Sequence, residues 1–269
     1  MSDGRNADPL VTPNPWQQWR AATPARLALG RAGAGLPTDE TLRFGWAHAM
    51  ARDAIHAALD VEALAEAAQA QGWPAPLCVR SRVPDRATYL RRPDLGRRLH
   101  EEDAQRIANG TRKGTAELCV VIGDGLSSLA AGRHALPLLA ALRPLLPDGL
   151  RWAPLVIASQ ARVALADEVG ERLGARLAVM LIGERPGLSS PDSLGIYLTH
   201  APRRGLHDAQ RNCISNVRPE GLGYDAAAFK LAWLVREALR RGVTGVDLKD
   251  ESDQAVLEAV PPAAPLPGG

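Results

Sequence analysis

Residues 117–146, ELCVVIGDGLSSLAAGRHALPLLAALRPLL, decide the fold class. An apolar run at 118–122 enters a glycine turn at 123–125, and a stretch rich in Ala and Leu follows at 127–146. A short, nearly continuous apolar run bounded by a turn is typical of a strand buried on both faces, as in a parallel sheet covered by helices. These residues therefore predict a strand followed directly by a helix within an α/β protein.

The same alternation extends along the chain on both sides of this unit. Short apolar strands separated by helices indicate a mostly parallel sheet. We therefore expect a Rossmann-like α/β domain over residues 76–250, with helices on both faces of its sheet. Further strands are expected at 77–83, 153–160, 176–183 and 195–201, and helices at 93–109, 164–174 and 225–242.

The residues before this domain have a helical pattern. In the stretch 16–75, Leu42, Trp46, Met50 and Ile55 recur near a period of about 3.6 residues. This spacing predicts a small helical N-terminal region. The polar, proline-rich ends are expected to be flexible, at 1–15 and at 251–269.

The charge balance argues against a nucleic-acid-binding protein. The chain has 32 Lys and Arg against 30 Asp and Glu, a formal net charge of +2, whereas nucleic-acid-binding domains carry a strongly basic face. No stretch approaches the roughly 18 apolar residues of a membrane span, and the first residues lack a signal-peptide pattern. The three cysteines are odd in number and widely spaced, which points to a reducing compartment. We expect an intracellular protein with neither a membrane nor a nucleic-acid partner.

The sequence contains neither a complete dinucleotide-binding motif nor a metal-ligand motif. The turn GDGLSS has Gly123 and Gly125, but Ser128 replaces the third glycine of a dinucleotide fingerprint, so a simple tight turn is the favoured interpretation. An NAD-linked oxidoreductase remains the alternative function. No two histidines are spaced i, i+4 and no cysteine pair has metal-ligand spacing, so no metal site is expected.

Polar residues at one sheet edge are the candidate ligand contacts. Glu184 and Arg185 follow the strand expected at 176–183, and open parallel sheets bind ligands at the carboxyl ends of their strands. The two could instead pair with each other or cap a helix. Cys213 lies in RNCISNVR, which we expect to be a polar loop before the last helix, and pattern alone leaves ligand contact and structural burial equally open. No catalytic set of nucleophile and base assembles from the sequence.

Several longer motifs carry a specific resemblance. In order and spacing they resemble the small (light) subunit of ethanolamine ammonia-lyase over roughly residues 24–250. The motifs are LALGRAGAGLPT, RRPDLGRRL, VVIGDGLSS, ARVALADEVGE, LIGERPGLSSPDSLGIYLTHAP and RNCISNVRPEGL.

This resemblance implies a function that the residues alone do not give. The family's enzyme uses adenosylcobalamin to convert ethanolamine to acetaldehyde and ammonia, with the cofactor between a catalytic large subunit and the small subunit. By resemblance, Val163, Glu184 and Cys213 contact the cobalamin, and this chain supplies no catalytic residue. The same resemblance implies a hetero-oligomer with the large subunit in the bacterial cytoplasm. Encapsulation in an ethanolamine-utilisation microcompartment is left open, because the chain lacks the N-terminal extension of some relatives.

Overall fold

A computed structural model describes residues 10–23, 25–110 and 116–253. The predicted flexible ends lie largely outside these residues. Within them the chain forms the helices α1 (Thr38–His56), α2 (Val61–Ala70), α3 (Arg86–Arg91), α4 (Glu101–Gly110), α5 (Ser128–Leu142), α6 (Leu165–Leu173) and α7 (Tyr224–Arg241). The strands are β1 (Leu77–Arg80), β2 (Leu118–Gly123), β3 (Val156–Ser159), β4 (Leu177–Gly183), β5 (Leu194–His200) and β6 (Arg211–Val217).

The six strands form one sheet in the order β1-β3-β2-β4-β5-β6. The first four in this order are parallel, whereas β5 is antiparallel to both β4 and β6. Parallel neighbours need a crossover, usually a helix, but antiparallel neighbours can be joined by a loop. The α/β class and the mostly parallel sheet are therefore confirmed, with two antiparallel pairings that the sequence did not predict.

Side chains of the central strands alternate between two cores. Leu118, Val120 and Ile122 of β2 pack with residues of α2, α5 and α7 in the first core. Cys119 and Val121 pack with residues of α4 and α6 in the second core. Since successive strand residues point to opposite faces, the two cores lie on the two sides of the sheet. Helices therefore cover both faces, and α2 belongs to the first core.

Residues 211–217 form a strand, β6, where the sequence predicted a polar loop. Ile214 and Val217 are buried in the first core, while Cys213 and Ser215 are exposed. β6 is an edge strand with one face toward solvent, so half of its residues are polar. The loop prediction was wrong because such a strand lacks the apolar run that marks the central strands.

The helix predicted at 93–109 begins later, at Glu101. Leu99 pairs with Ser81 just beyond β1, and the residues before it form a turn and a short 3-10 helix, Leu95–Arg97. Gly96 also packs directly against the residues before α6: the backbone N–H of Arg162 donates to its carbonyl oxygen at 2.8 Å. The segment 92–98 is therefore a loop beside the start of α6.

Candidate functional site

The strand order reverses between β2 and β4, and ligands of open α/β sheets usually bind in the crevice at such a point. Here the chain itself fills the crevice. The backbone N–H of Leu126 donates to the carbonyl oxygen of Gly183 at 2.9 Å. Gly125 has a φ of +57°, and a Cβ at this position would lie 2.2 Å from the same oxygen. The glycines of the GDG turn therefore allow two strand ends to pack together.

The acidic residue of this turn also disfavours a phosphate. Asp124 is buried and accepts hydrogen bonds from the backbone N–H groups of Gln160 and Ala161, both at 2.8 Å. Burial raises the pKa of Asp124, while these two N–H groups and Arg86 favour its charged form. The Asp124 carboxylate thus occupies the two backbone N–H groups that could otherwise bind a phosphate.

The N-terminus of α5 is capped rather than free. Ser127 Oγ accepts from the backbone N–H of Ala130 at 3.3 Å and donates to the carbonyl oxygen of Pro191 at 2.9 Å. A dinucleotide pyrophosphate binds the free N–H groups at this place in the fold. The tight-turn interpretation of GDGLSS therefore holds, and the NAD-linked alternative has no phosphate site here.

An uncovered part of the sheet lies on the second face of β5 and β6. In the described residues, both connections around β5 lack an α-helix on that side, and α6 packs over β2 and β4 instead. Cys213 and Ser215 point to this face and are exposed, and Tyr197 beside them is half-buried. The sheet thus presents a surface with both apolar and polar groups at its β5–β6 side.

Glu184 borders this surface at the carboxyl end of β4. Its side chain lies across β5, because a Cβ at Gly195 would be 3.0 Å from Glu184 Oε1. Ser215 Oγ donates to Oε1 at 2.5 Å, and the backbone N–H of Asn216 donates to Oε2 at 3.1 Å. Ser193 Oγ also donates to Oε2. The carboxylate therefore ties the end of β4 to β5 and β6.

The geometry argues against pairing of Glu184 with Arg185. Arg185 is exposed, and no ion pair joins the two residues in the part of the chain that the structure describes. A carboxylate offers about four acceptor positions. The three hydrogen bonds to Glu184 leave one of them for another donor.

Cys213 lies in the middle of the uncovered surface as the cross-strand partner of Tyr197. Partial desolvation raises the pKa of the Cys213 thiol, contact with the Tyr197 side chain opposes this, and the nearby Glu184 carboxylate adds to it. The same surroundings raise the pKa of Tyr197. Both groups are therefore protonated at neutral pH and act as neutral polar contacts.

Val163 lies just before α6 and packs against the same core as Tyr197. Within the described residues, its backbone N–H donates no hydrogen bond. The N-cap residue of α6 is Ala164, whose side chain cannot accept a hydrogen bond from the helix. The backbone N–H groups of Leu165 and Ala166 donate to the carbonyl oxygens of Arg162 and Val163, so the donors left free here are those of Val163 and Ala164.

A cavity of ≈ 720 Å³ opens at these free donors. Its wall includes Val163 and Ala164 together with six arginines, Arg82, Arg97, Arg98, Arg162, Arg204 and Arg211. Most of these arginines have carboxylate partners, as Arg98 has in Glu168 at 3.1 Å. In the described chain, Arg97 and Arg162 have no carboxylate partner, and the Arg162 guanidinium lies 4.1 Å from the Tyr89 ring centroid. The wall also includes Asp94 and Asp208, which pair with Arg92 and Arg211.

Glu184 and Cys213, which the sequence pattern indicated, and Val163, which the resemblance implied, lie near the uncovered surface. Tyr197, which lies beside them, was missed. Glu184 and Cys213 share the second face of the sheet, and Val163 borders the same core. Tyr197 was not predicted, although Ile196 and Leu198 on either side of it belong to the first core. Strict alternation along β5 places Tyr197 on the other face, so recognising β6 as a strand would have revealed it.

No cluster of three or more His, Cys, Asp or Glu side chains in the described residues is arranged to hold a metal ion. The helices of this part of the chain are also too short or too polar to cross a bilayer.

Fold and site together define an α/β protein whose switch point is closed and whose sheet has an uncovered, partly polar face at β5 and β6. The model of the family "Ethanolamine ammonia-lyase light chain (EutC)" matches residues 13–249, so the chain belongs to that family. It is similar to the ethanolamine ammonia-lyase small subunit of Azotobacter vinelandii, with 58% identity over 92% of this chain and 93% of the relative. The small subunit of Ralstonia nicotianae is 55% identical over 96% and 97% of the two chains, and that of Pseudomonas putida strain W619 is 53% identical over 93% of each.

Proposed function

We propose that this chain is the small subunit of an ethanolamine ammonia-lyase, a carbon–nitrogen lyase, and that it helps to bind adenosylcobalamin against a large subunit. Membership of the family supports the assignment as a subunit of this lyase. The single observation that favours a cofactor-binding role is the uncovered face of β5 and β6, bordered by Glu184, Cys213 and Val163. A Rossmann-like description suits the parallel part of the sheet, although its switch point is closed.

The chemistry of this surface suits a corrin ring. The ring is flat and apolar across its faces, and its rim bears carboxamides that both donate and accept hydrogen bonds. Tyr197 and Cys213 offer a flat contact area, Glu184 offers an acceptor for an amide N–H, and the free N–H of Val163 offers a donor for an amide oxygen.

The arginine-lined cavity suits the anionic part of the same cofactor. Cobalamin carries one phosphodiester in its nucleotide tail. Arg97 and Arg162, together with the free backbone N–H groups of Val163 and Ala164, line a cavity with room for such a group. We therefore expect the nucleotide tail to lie next to Val163.

This chain's residues would position the cofactor and exclude water, and the large subunit would handle ethanolamine. Bound adenosylcobalamin supplies the radical that starts the reaction by homolysis of its Co–C bond. Glu184 would hold the rim of the ring, and the protonated Cys213 and Tyr197 would cover one face without adding charge. Within the described residues the β5–β6 face is uncovered, so a partner would complete the cavity. The bacterial relatives make the bacterial cytoplasm the expected compartment.

An assay for acetaldehyde release tests this function. Ethanolamine and adenosylcobalamin are incubated with this chain, with the large subunit, or with both. We expect product only with both chains, because the groups that handle the substrate are expected on the large subunit. Product from this chain alone, or full turnover by the large subunit without it, would contradict the proposal.

A further inference from the structure

Arg162 is the arginine of the cavity beside α6 that is both held in place and without a carboxylate partner. Its side chain packs against the loop at 92–98, where a Cβ added at Gly96 would lie 2.8 Å from Arg162 Cγ. Its Nη2 donates to the carbonyl oxygen of Tyr89 at 3.1 Å. Arg97, the other cavity arginine without such a partner in the described residues, is exposed. Arg162 is therefore the one whose position the fold determines.

The ring of Tyr89 orients this guanidinium. Tyr89 is fully buried, and the Arg162 guanidinium lies 4.1 Å from its ring centroid. The Tyr89 hydroxyl donates to the carbonyl oxygen of Ala161 at 2.8 Å, which fixes the orientation of the ring. A cation over an aromatic face is attracted by the ring electrons, and more strongly where water is excluded. The side chain of Arg162 is therefore oriented by the folded chain itself.

A second arginine lies over the same ring, but its charge is balanced. The Arg86 guanidinium is 4.5 Å from the Tyr89 ring centroid. Arg86 Nη1 lies 3.6 Å from Oδ2 of the buried Asp124, so these two opposite charges form a pair. Of the two guanidinium groups at the ring, only that of Arg162 leaves a positive charge without a carboxylate in the described chain.

The donors of Arg162 suit an anionic ligand. Its Nε is buried and has no hydrogen-bond partner within the described residues. Three other arginines have such a buried nitrogen, but each of them forms an ion pair with a carboxylate: Arg86, Arg172 and Arg211. A buried polar group without a partner is destabilising, and a bound ion or a functional role is a usual explanation. Because Arg162 also lines the cavity, a ligand in that cavity could reach it.

We infer that Arg162, positioned by the Tyr89 ring, is the residue through which this chain prefers corrinoids that carry a nucleotide tail, an inference that rests on the proposed function. The phosphodiester is the anionic group of that tail, and a guanidinium presents its donors in a planar fork that fits two phosphate oxygens. The free backbone N–H of Ala164 offers a further donor at the same wall. A corrinoid without the tail brings no anion to this cavity, so Arg162 gains nothing from its binding.

Paired titrations test the inference. Adenosylcobalamin and adenosylcobinamide, which lacks the nucleotide tail, are titrated by calorimetry into the complex of the large subunit with wild type or with a variant of this chain. We expect Arg162→Gln to weaken adenosylcobalamin binding by about tenfold and to leave adenosylcobinamide binding within a factor of about two. Arg91→Gln is the matched control, because Arg91 is exposed on α3 and lies outside the cavity. It should bind both corrinoids like wild type.

Variants of Tyr89 test the positioning role. Tyr89→Phe keeps the ring over Arg162 and should keep the wild-type preference for adenosylcobalamin. Tyr89→Leu removes the ring, so it should reduce that preference by about threefold or more while keeping the wild-type circular dichroism. If Tyr89→Leu is unfolded, Arg162→Lys decides in its place, because lysine keeps the charge but lacks the planar group that stacks on the ring. Arg162→Lys should show the same loss of preference.

The outcomes separate the inference from the proposed function. A wild-type complex that binds adenosylcobalamin no more tightly than the large subunit alone refutes the proposed function, and the inference with it. If the wild-type complex binds tightly, two results overturn the inference alone. Equal weakening of both corrinoids by Arg162→Gln would assign Arg162 a structural role, and unchanged binding of both would exclude the contact. Wild-type preference in folded Tyr89→Leu, or in Arg162→Lys where that variant decides, overturns the positioning by Tyr89.

Discussion

Among single residues, Glu184 is the one for which we expect the clearest effect on cofactor binding. It keeps one acceptor position after its three hydrogen bonds within the chain. A hydrogen bond to a charged group contributes about 1.5 to 3 kcal/mol. Glu184→Ala should therefore weaken adenosylcobalamin binding to the assembled enzyme by about tenfold or more, as measured by titration. Saturating cofactor should restore most of the turnover, since the role is in binding.

Ser215→Ala is the control for this experiment. It removes one hydrogen bond to the same carboxylate and leaves the carboxylate in place. We expect its cofactor affinity to stay within a factor of about three of wild type. Equal weakening by both variants would assign the effect to the anchoring of β6 and would contradict the ligand role of Glu184.

Cysteine alkylation gives an independent measurement on the same surface. Cys213 is exposed, but desolvation first of all raises its pKa above the ordinary value of 9.0. Because the thiolate is the reactive form, Cys213 in the isolated chain should react with iodoacetamide more slowly at pH 8 than a small free thiol. Its rate should rise with pH up to the raised pKa.

Assembly with the large subunit and adenosylcobalamin should then protect Cys213. Cys78 is the internal control, since it lies in β1 at the opposite edge of the sheet. We expect mass spectrometry to find Cys78 modified equally in both states. Unchanged modification of Cys213 in the loaded complex would count against a cofactor contact there.

Among the secondary-structure elements, α6 positions both Val163 and the arginine-lined cavity. Glu168 of α6 is buried and anchors the 92–98 loop: its carboxylate accepts from Arg98 Nε and from the backbone N–H of Leu99, both at 3.1 Å. Arg172 Nη2 donates to its other oxygen at 3.1 Å. Burial alone would raise the pKa of Glu168, but these three donors together hold it below the ordinary value of 4.5.

Removing this carboxylate should loosen α6. Glu168→Gln should lower the free energy of unfolding by about 1 to 3 kcal/mol at pH 7, as measured by urea denaturation. The folded-state pKa is depressed, so the stabilising effect is complete above the unfolded-state pKa near 4.5 and is lost as pH falls through the lower folded value. The gap between wild type and variant should shrink in that acid range. A gap that is constant from pH 7 to pH 3 would contradict this assignment.

Some secondary-structure elements could be predicted from the sequence and others could not. The central strands β2 and β4 are apolar on both faces, and so their runs and the strand–helix alternation are visible in the sequence. β6 is an edge strand whose partner contacts arise only in the folded sheet, so its mixed pattern resembled a loop. Glu184 and Cys213 were singled out, but their common face depends on that strand. The exposed stripe of α1 has a helical period like that of a buried one, and only the folded chain distinguishes the two.

At the scale of the whole molecule, parts of the described surface lack a covering element. The sheet is covered by helices on its first face and over β2 and β4 on its second, but the β5–β6 side and the outer face of α1 remain open within the described residues. We therefore propose that this chain completes a cobalamin site that the large subunit cannot form by itself.

Titration of adenosylcobalamin into the large subunit, with and without this chain, tests that claim most directly. Calorimetry gives the dissociation constant for each mixture, and this chain alone serves as the third sample. The account predicts tight binding only when both chains are present, with binding at least tenfold weaker for either chain alone. An equal dissociation constant for the large subunit with and without this chain would contradict it.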